Sequence, residues 1–170
     1  MATFMGSNET TIKFHKACID EDLKTIKGLL KNKENINVRQ LDQMGTLLRI
    51  VSLAKTFPSL EELKEAMEKH PGEEIVKVLC EIGVDLHQKD DYGQTALHMV
   101  CRGTKVTFGS GLKCHANPTI VEILIEHGAS VHAKDDLGHT PLHDACARSG
   151  NLEIVQTLRL KSIGQFYLYA

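Results

Sequence analysis

Three histidine–cysteine pairs with the same spacing are the residues of this sequence best suited to chemistry. They are His15 with Cys18, His98 with Cys101, and His143 with Cys146. Imidazole nitrogen and thiolate sulfur are the ligands that zinc prefers, and a structural zinc site gathers four of them within about 2.0–2.3 Å of the ion. The spacing therefore poses two hypotheses: a metal site, or a chain that repeats itself.

The sequence around these pairs recurs as well. "KDDYGQTALHMVC" at 89–101 and "KDDLGHTPLHDAC" at 134–146 share Lys, two Asp, Gly, Thr, Leu, His and Cys in register. "LDQMGTLLRIV" at 41–51 keeps the Asp, Gly and Leu but has Arg49 in place of His, and "IKFHKAC" at 12–18 keeps only the His and the Ala-Cys. A second, apolar block follows each copy, at 23–30, 73–87, 119–132 and 152–158.

These residues resemble the ankyrin repeat, whose pattern is Asp-x-x-Gly-x-Thr-Pro-Leu-His-x-Ala followed by an Ile-Val-x-x-Leu-Leu-x-x-Gly-Ala block. The resemblance implies an all-α solenoid of stacked helix-turn-helix units that extended β-turns connect. It covers nearly the whole chain and predicts a single ankyrin-repeat domain over 1–170. The units fall at about 7–40, 41–88, 89–133 and 134–165.

The chemistry of one unit explains its residue types without a metal. Thr140 can cap a helix, Pro141 suits the first helical position, and His143 can reach back to the start of its own helix. The neighbouring Cys is expected to pack as a small buried apolar side chain beside Ala145. Equivalent residues of packed helices stay about 8–10 Å apart, so the pairs do not converge on one ion. No metal and no cofactor is predicted.

Two insertions lengthen the middle units, at about 55–72 and 103–118, each between a first and a second helix. A capping box predicts a short helix over 59–70, and glycines predict a flexible loop over 103–118. The insertions are either tolerated surface lengthening or a contact patch that includes Lys105, Phe108 and Lys113. The "FYLYA" end folds back on the last pair, binds a partner or marks an interrupted array.

The bulk composition bounds the partners and the compartment. The formal net charge of −2 gives no electrostatic reason to expect nucleic acid or a membrane as partner. No secretory signal is recognisable, and five cysteines are an odd number, so reduced thiols in the cytoplasm or nucleus are expected. We expect a monomer. Motifs of hydrolases, phosphate-binding loops and zinc proteases are absent from the sequence, and we predict no enzyme.

Recognition of a protein partner is the function that the resemblance implies. Partners of such repeats usually contact the turn tips and the exposed side of the first helices. The first aspartates of the turns, Asp90 and Asp135, are expected to order the turns instead. The matching partner-binding positions here are Gln43, Met44, Asp91, Tyr92, Gln94, Arg102, Asp136, Leu137, His139 and Arg148.

Three alternatives remain open. The chain is also compatible with a small regulatory or host-directed inhibitor resembling the inhibitor of nuclear factor kappa B. It could instead be the substrate of an asparaginyl or histidyl hydroxylase, because the family carries a modified Asn where this chain has Asn37, His87 and His132. A catalyst built on Cys114 and His115 is the weakest hypothesis.

Overall fold

Pairs of helices joined by turns make up the described part of the protein. The computed structural model describes residues 9–31, 36–37, 41, 45, 47, 71–108 and 111–167. The expected helix over 59–70 lies outside these residues. The elements are α1 (Glu9–Ile19), α2 (Leu23–Lys31), α3 (Pro71–Glu81), α4 (Ala96–Arg102), β1 (Thr104–Phe108), β2 (Gly111–His115), α5 (Pro118–Glu126), α6 (Pro141–Asp144), a π-helical turn (Ala145–Ser149) and α7 (Leu152–Tyr167).

Like helices of neighbouring units pack on one another. The first helices α4 and α6 are in contact, and the second helices contact in the order α3, α5 and α7. At the other end of the chain, α1 packs against α2. The layering is that of helix-turn-helix units placed side by side, which confirms the predicted helical fold. The unit boundaries themselves stay a prediction.

The apolar interior is continuous through these layers, because each helix pair buries its apolar face only against its neighbours. Leu97 of a first helix and Leu124 of a second helix are fully buried. The spacing of three and four residues in the second helices places such side chains on one face. The largest buried apolar side chains are Phe14, Ile26, Leu41, Ile75, Leu79, Leu97, Leu124, Ile154 and Leu158.

Short polar side chains begin the second helices, as capping requires. Asn117 precedes Pro118 of α5 and accepts the Ile120 N–H at 3.3 Å. Asp22 accepts the Thr25 N–H at 3.0 Å at the start of α2, and hydrogen bonds from the Thr25 side chain and backbone lower the pKa of its carboxyl. Glu21 before it has a φ of 56°, a conformation that costs a side-chain-bearing residue about 1–2 kcal/mol.

The insertion in the third unit is an antiparallel hairpin, and the expectation of a flexible loop over 103–118 is wrong. Strand β1 pairs with β2 in a register that runs from Thr104 opposite His115 to Phe108 opposite Gly111. The alternation of Val106 with polar neighbours and the β-branched residues of β1 favour a strand. The loop prediction rested on three glycines, Gly103, Gly109 and Gly111. Strand β2 contacts the π-helical turn of the fourth unit.

The π-helical turn accommodates one extra residue in the fourth unit. The sequence separates Ala145 from Gly150 by one residue more than the repeat pattern has. The Gly150 N–H donates to the Ala145 carbonyl at 2.9 Å, five residues back, as in a π-helix. Gly150 then ends the turn in the left-handed conformation at φ 60°. None of the helices that the structure describes is long and apolar enough to span a membrane.

Candidate functional site

Two aspartates shape the turns that project from the third and fourth units. The Asp90 carboxylate accepts the N–H groups of Tyr92 at 3.0 Å and Gln94 at 2.8 Å through one oxygen. Asp135 likewise accepts the N–H groups of Leu137 at 3.0 Å and His139 at 2.8 Å. The prediction that the first aspartate of each pair orders its turn is therefore confirmed.

The environment of Asp135 favours its ionised form. Burial of the carboxyl raises its pKa, but the hydrogen bonds from the His139 and Leu137 N–H groups, the charge of His139 and a side-chain bond from Gln94 together lower it below the usual value. The His139 Nδ1 lies 3.7 Å from the second carboxylate oxygen. The turn is thus held by a buried negative charge that accepts two backbone N–H groups through one oxygen.

The tips of both turns carry large exposed apolar side chains. Tyr92 is 72% exposed and Leu137 is 79% exposed. The Asp136 N–H donates to the Tyr92 carbonyl at 3.1 Å, so the backbone of one turn holds the next. Asp91 and Asp136 are exposed beside them. We call the set Asp91, Tyr92, Asp136, Leu137 and His139 the turn surface.

One predicted partner-binding residue of these turns does not face solvent. Gln94 is only 7% exposed, and its side chain hydrogen-bonds Asp135. It therefore connects the two turns. Gln43 and Met44 lie outside the described residues, so their part in partner binding stays a prediction.

The two predicted arginines converge on a residue that sequence reasoning missed. Arg102 Nε donates to Asp144 Oδ1 at 3.3 Å, and Arg148 Nε lies 3.6 Å from the same oxygen. Asp144 occupies the variable position after the histidine of the fourth unit and is buried. Its spacing of four residues from Arg148 is a known ion-pair signal on helices, and could have indicated the contact.

The histidines of two of the pairs, His98 and His143, act as helix caps, as the repeat pattern predicted. His98 Nδ1 accepts the Thr95 N–H at 3.2 Å, and His143 Nδ1 accepts the Thr140 N–H at 3.1 Å. The other ring nitrogen of His98 lies 3.1 Å from the His139 carbonyl in the next unit. Among the described residues there is no group of three or more His, Cys, Asp or Glu side chains that could hold a metal ion.

The cysteines of the pairs differ in exposure, and the expectation of a buried thiol is wrong for Cys146. Cys18 and Cys101 are fully buried, whereas Cys146 is exposed. The reason is position in the stack. Helix α4, which carries Cys101, is covered by α6, while Cys146 and His143 are exposed.

The residues considered for hydroxylation lie in exposed turns. Asn37, His87 and His132 are all exposed. The His87 N–H donates to Asp85 Oδ1 at 2.8 Å, and the Asn37 N–H donates to Thr11 Oγ1 at 2.9 Å. These bonds hold the backbone of the turns and leave modification of the side chains a prediction.

The chain belongs to the ankyrin repeat family. The family model for three copies of the repeat matches residues 63–166, more than half of the chain. The fold is accordingly that of a protein-interaction module.

Two curated relatives are named protein phosphatase 1 regulatory subunit 27. The human protein is 41% identical over 71 residues, which are 40% of this chain and 46% of that protein. The mouse protein is 39% identical over 71 residues, which are again 40% of this chain and 46% of that protein. The match thus spans less than half of these relatives.

Proposed function

We propose that this protein binds a protein partner through the turn surface and has no catalytic activity of its own. The observation that carries the proposal is the exposure of Tyr92 and Leu137 on adjacent turn tips. Large apolar and aromatic side chains at the centre of an interface supply most of its binding energy. Burying a leucine-sized side chain contributes roughly 1.5–3 kcal/mol.

The turns hold these side chains ready for binding. Asp90 and Asp135 each fix two backbone N–H groups, and the Asp136 N–H joins one turn to the other. A rigid surface loses little conformational entropy when a partner binds. The exposed carboxylates of Asp91 and Asp136 beside the apolar tips favour a partner with an apolar anchor and basic groups around it.

Affinity capture with matched variants tests this function. The double variant Tyr92→Ala and Leu137→Ala is expected to lose the captured partner, because both anchors are removed. Leu152→Ala is the control, since Leu152 is 68% exposed but lies on α7 and not on a turn. The captured proteins would be quantified by mass spectrometry. Equal capture by the double variant and by the control would contradict the proposal.

The second candidate is binding to protein phosphatase 1, and the two relatives favour it by name. The hairpin offers one means of contact. Among the described strands β1 pairs with β2 alone, and we propose that an extended partner strand adds to its other edge. Strand addition of this kind gains main-chain hydrogen bonds and takes specificity from alternate side chains. In sequence, Val106 and Phe108 alternate with Lys105 and Thr107 along β1.

Titration of the purified phosphatase 1 catalytic subunit with the protein, followed by calorimetry, tests the second candidate. We expect saturable binding that is lost when residues 104–115 are replaced by a short Gly-Ser linker. The Tyr92→Ala and Leu137→Ala variant separates the two surfaces. Absence of heat with the intact protein would end this candidate without affecting the first.

A further inference from the structure

Two arginines from adjacent units share one buried carboxylate. Arg102 ends α4, Arg148 lies in the π-helical turn, and both reach Asp144 Oδ1 through Nε, at 3.3 and 3.6 Å. The side chains of Arg102 and Arg148 are 29% and 49% exposed, whereas that of Asp144 is 5% exposed. The cluster therefore presents guanidinium groups to solvent and keeps its carboxylate inside.

The contacts leave most of the donors of this cluster available. Each guanidinium meets Asp144 by its Nε edge, so the donors at Nη1 and Nη2 are not needed for these contacts. Two guanidiniums against one carboxylate leave a net positive charge. Paired planar guanidiniums match the oxygens of carboxylates and phosphates, to which they donate two parallel hydrogen bonds.

We propose that Arg102 and Arg148 form an anion-binding site that accepts an acidic or phosphorylated side chain of the protein partner. The proposal rests on the proposed function, because it assigns a second contact to the same partner. Asp144 holds the two guanidiniums side by side. The class of ligand is an oxyanion with at least two oxygens, from a glutamate, an aspartate or a phosphorylated residue.

Both arginines contact Asp144 through its Oδ1. Asp144 Oδ2 is buried and has no hydrogen-bond partner among the described residues. An oxyanion accepts hydrogen bonds and does not pair with this oxygen. The case for a ligand therefore rests on the two partly exposed guanidiniums and on the Nη donors that the contacts to Asp144 do not use.

Arg148 lies in the π-helical turn, four residues after Asp144 and at contact distance from it. Turns of this kind are rare and recur at functional sites. Helix α4 joins the site to the turn surface. Its seven residues span about 10 Å, so one extended partner segment can reach both.

Nuclear magnetic resonance of the arginine side chains tests the site without a partner. The Nε–Hε signals of the ¹⁵N-labelled protein would be followed during titration with O-phosphoserine, with glutarate, and with sodium chloride at matched ionic strength. We expect the signals of Arg102 and Arg148 to shift saturably with one or both oxyanions and not with chloride. Arg159, exposed on α7, is the internal reference. Tighter binding of phosphoserine than of glutarate would identify the ligand as a phosphorylated residue. Tighter binding of glutarate would identify it as a glutamate or aspartate side chain.

Substitutions test whether Arg102, Arg148 and Asp144 together form the anion-binding site. Arg148→Gln and Arg102→Gln should each weaken oxyanion binding at least about 5-fold, and Arg159→Gln should not change it. Asp144→Asn should weaken binding although it removes a negative charge, because the arginines lose their common anchor. Equal, non-saturating shifts of all arginine signals would overturn the anion site. Tighter binding by Asp144→Asn would overturn the role given to Asp144. Neither result bears on capture through Tyr92 and Leu137.

Discussion

Two glycines at equivalent turn positions differ in what surrounds them. Gly93 and Gly138 both have a positive φ, of 73° and 78°. A side chain at Gly138 would meet open space, whereas a Cβ at Gly93 would lie 2.8 Å from the backbone nitrogen of Asp136 and closer still to its carboxylate. Gly138 therefore serves conformation alone, and Gly93 also serves the close approach of two units.

Alanine substitutions separate these two roles. Gly138→Ala is expected to cost about 1–2 kcal/mol, since a left-handed backbone disfavours any Cβ. Gly93→Ala should cost at least about 1 kcal/mol more, because Asp136 must move and its hydrogen bond to Tyr92 is strained. Urea denaturation of both variants measures the difference. Equal losses of unfolding free energy in the two variants would mean that the turns of the third and fourth units can move apart at Gly93 without destabilising the protein.

The thiols should differ in reactivity by position in the stack. Burial raises the pKa of Cys18 to about 12 and that of Cys80 to about 11, and burial beside Asp144 raises the pKa of Cys101 as well. The thiolate is the reactive form, so these residues should resist alkylation. Cys146 is exposed. Of the four cysteines whose side chains the structure describes, Cys146 is expected to be modified first by iodoacetamide at pH 8, as measured by peptide mass spectrometry. Labelling of Cys101 at the same rate would contradict the packing of α4 under α6.

The sequence could predict what each residue does within its own unit. The bond from His143 to Thr140 needs only a spacing of three residues, and the spacing was enough to predict it. It could not predict what depends on the neighbouring unit. Cys101 and Cys146 have the same local sequence pattern, yet one is covered and the other is exposed. Asp144 was missed because its partner Arg102 lies in another unit.

At the scale of elements, the turn of the fourth unit depends on an ionised carboxylate. Because its hydrogen bonds lower the pKa of Asp135 in the folded protein, its ionised form stabilises the fold above the unfolded pKa of about 3.9. That stabilisation is lost as the pH falls through the lower, folded value. Asp135→Asn should therefore lower the melting temperature most near neutral pH, and the gap to the wild type should close in acid.

Melting curves between pH 7 and pH 2 check this dependence. Asp136→Asn removes a carboxylate from the same turn and controls for the loss of one charge, since Asp136 is exposed. A gap between Asp135→Asn and the wild type that stays constant over the whole range would show that the ionised carboxylate contributes nothing.

The two irregular elements mark where sequence patterns reached their limit. The hairpin has one glycine before β1, two where β1 connects to β2, and only five residues in each strand. In the sequence interpretation these glycines therefore outweighed the alternation of apolar and polar residues. The extra residue before Gly150 was visible in the sequence, but a bulge, a longer loop and a shifted helix end are equally compatible with one added residue. The choice of a π-helical turn depends on the Gly150 hydrogen bond.

At the scale of the molecule, a few side-chain contacts couple the stability of the third unit to that of the fourth. His98 caps its own helix through Nδ1 and reaches the His139 carbonyl of the next unit through Nε2. Gln94 bonds Asp135, and Arg102 bonds Asp144, across the same boundary. A partner that contacts the turns of both units therefore binds a surface whose two halves are already joined by hydrogen bonds.

His98 and His143 form a matched pair that measures this coupling. Both cap a helix, but His98 is fully buried and His143 is exposed. His143→Ala should cost about 1 kcal/mol, the usual value of a lost cap. His98→Ala should cost about 3 kcal/mol or more, because it also leaves a cavity and takes a partner from the His139 carbonyl. Urea denaturation gives both values, and His98→Ala should also broaden the transition as the fourth unit separates from the third. Equal losses with unchanged cooperativity would mean that each unit folds on its own local bonds.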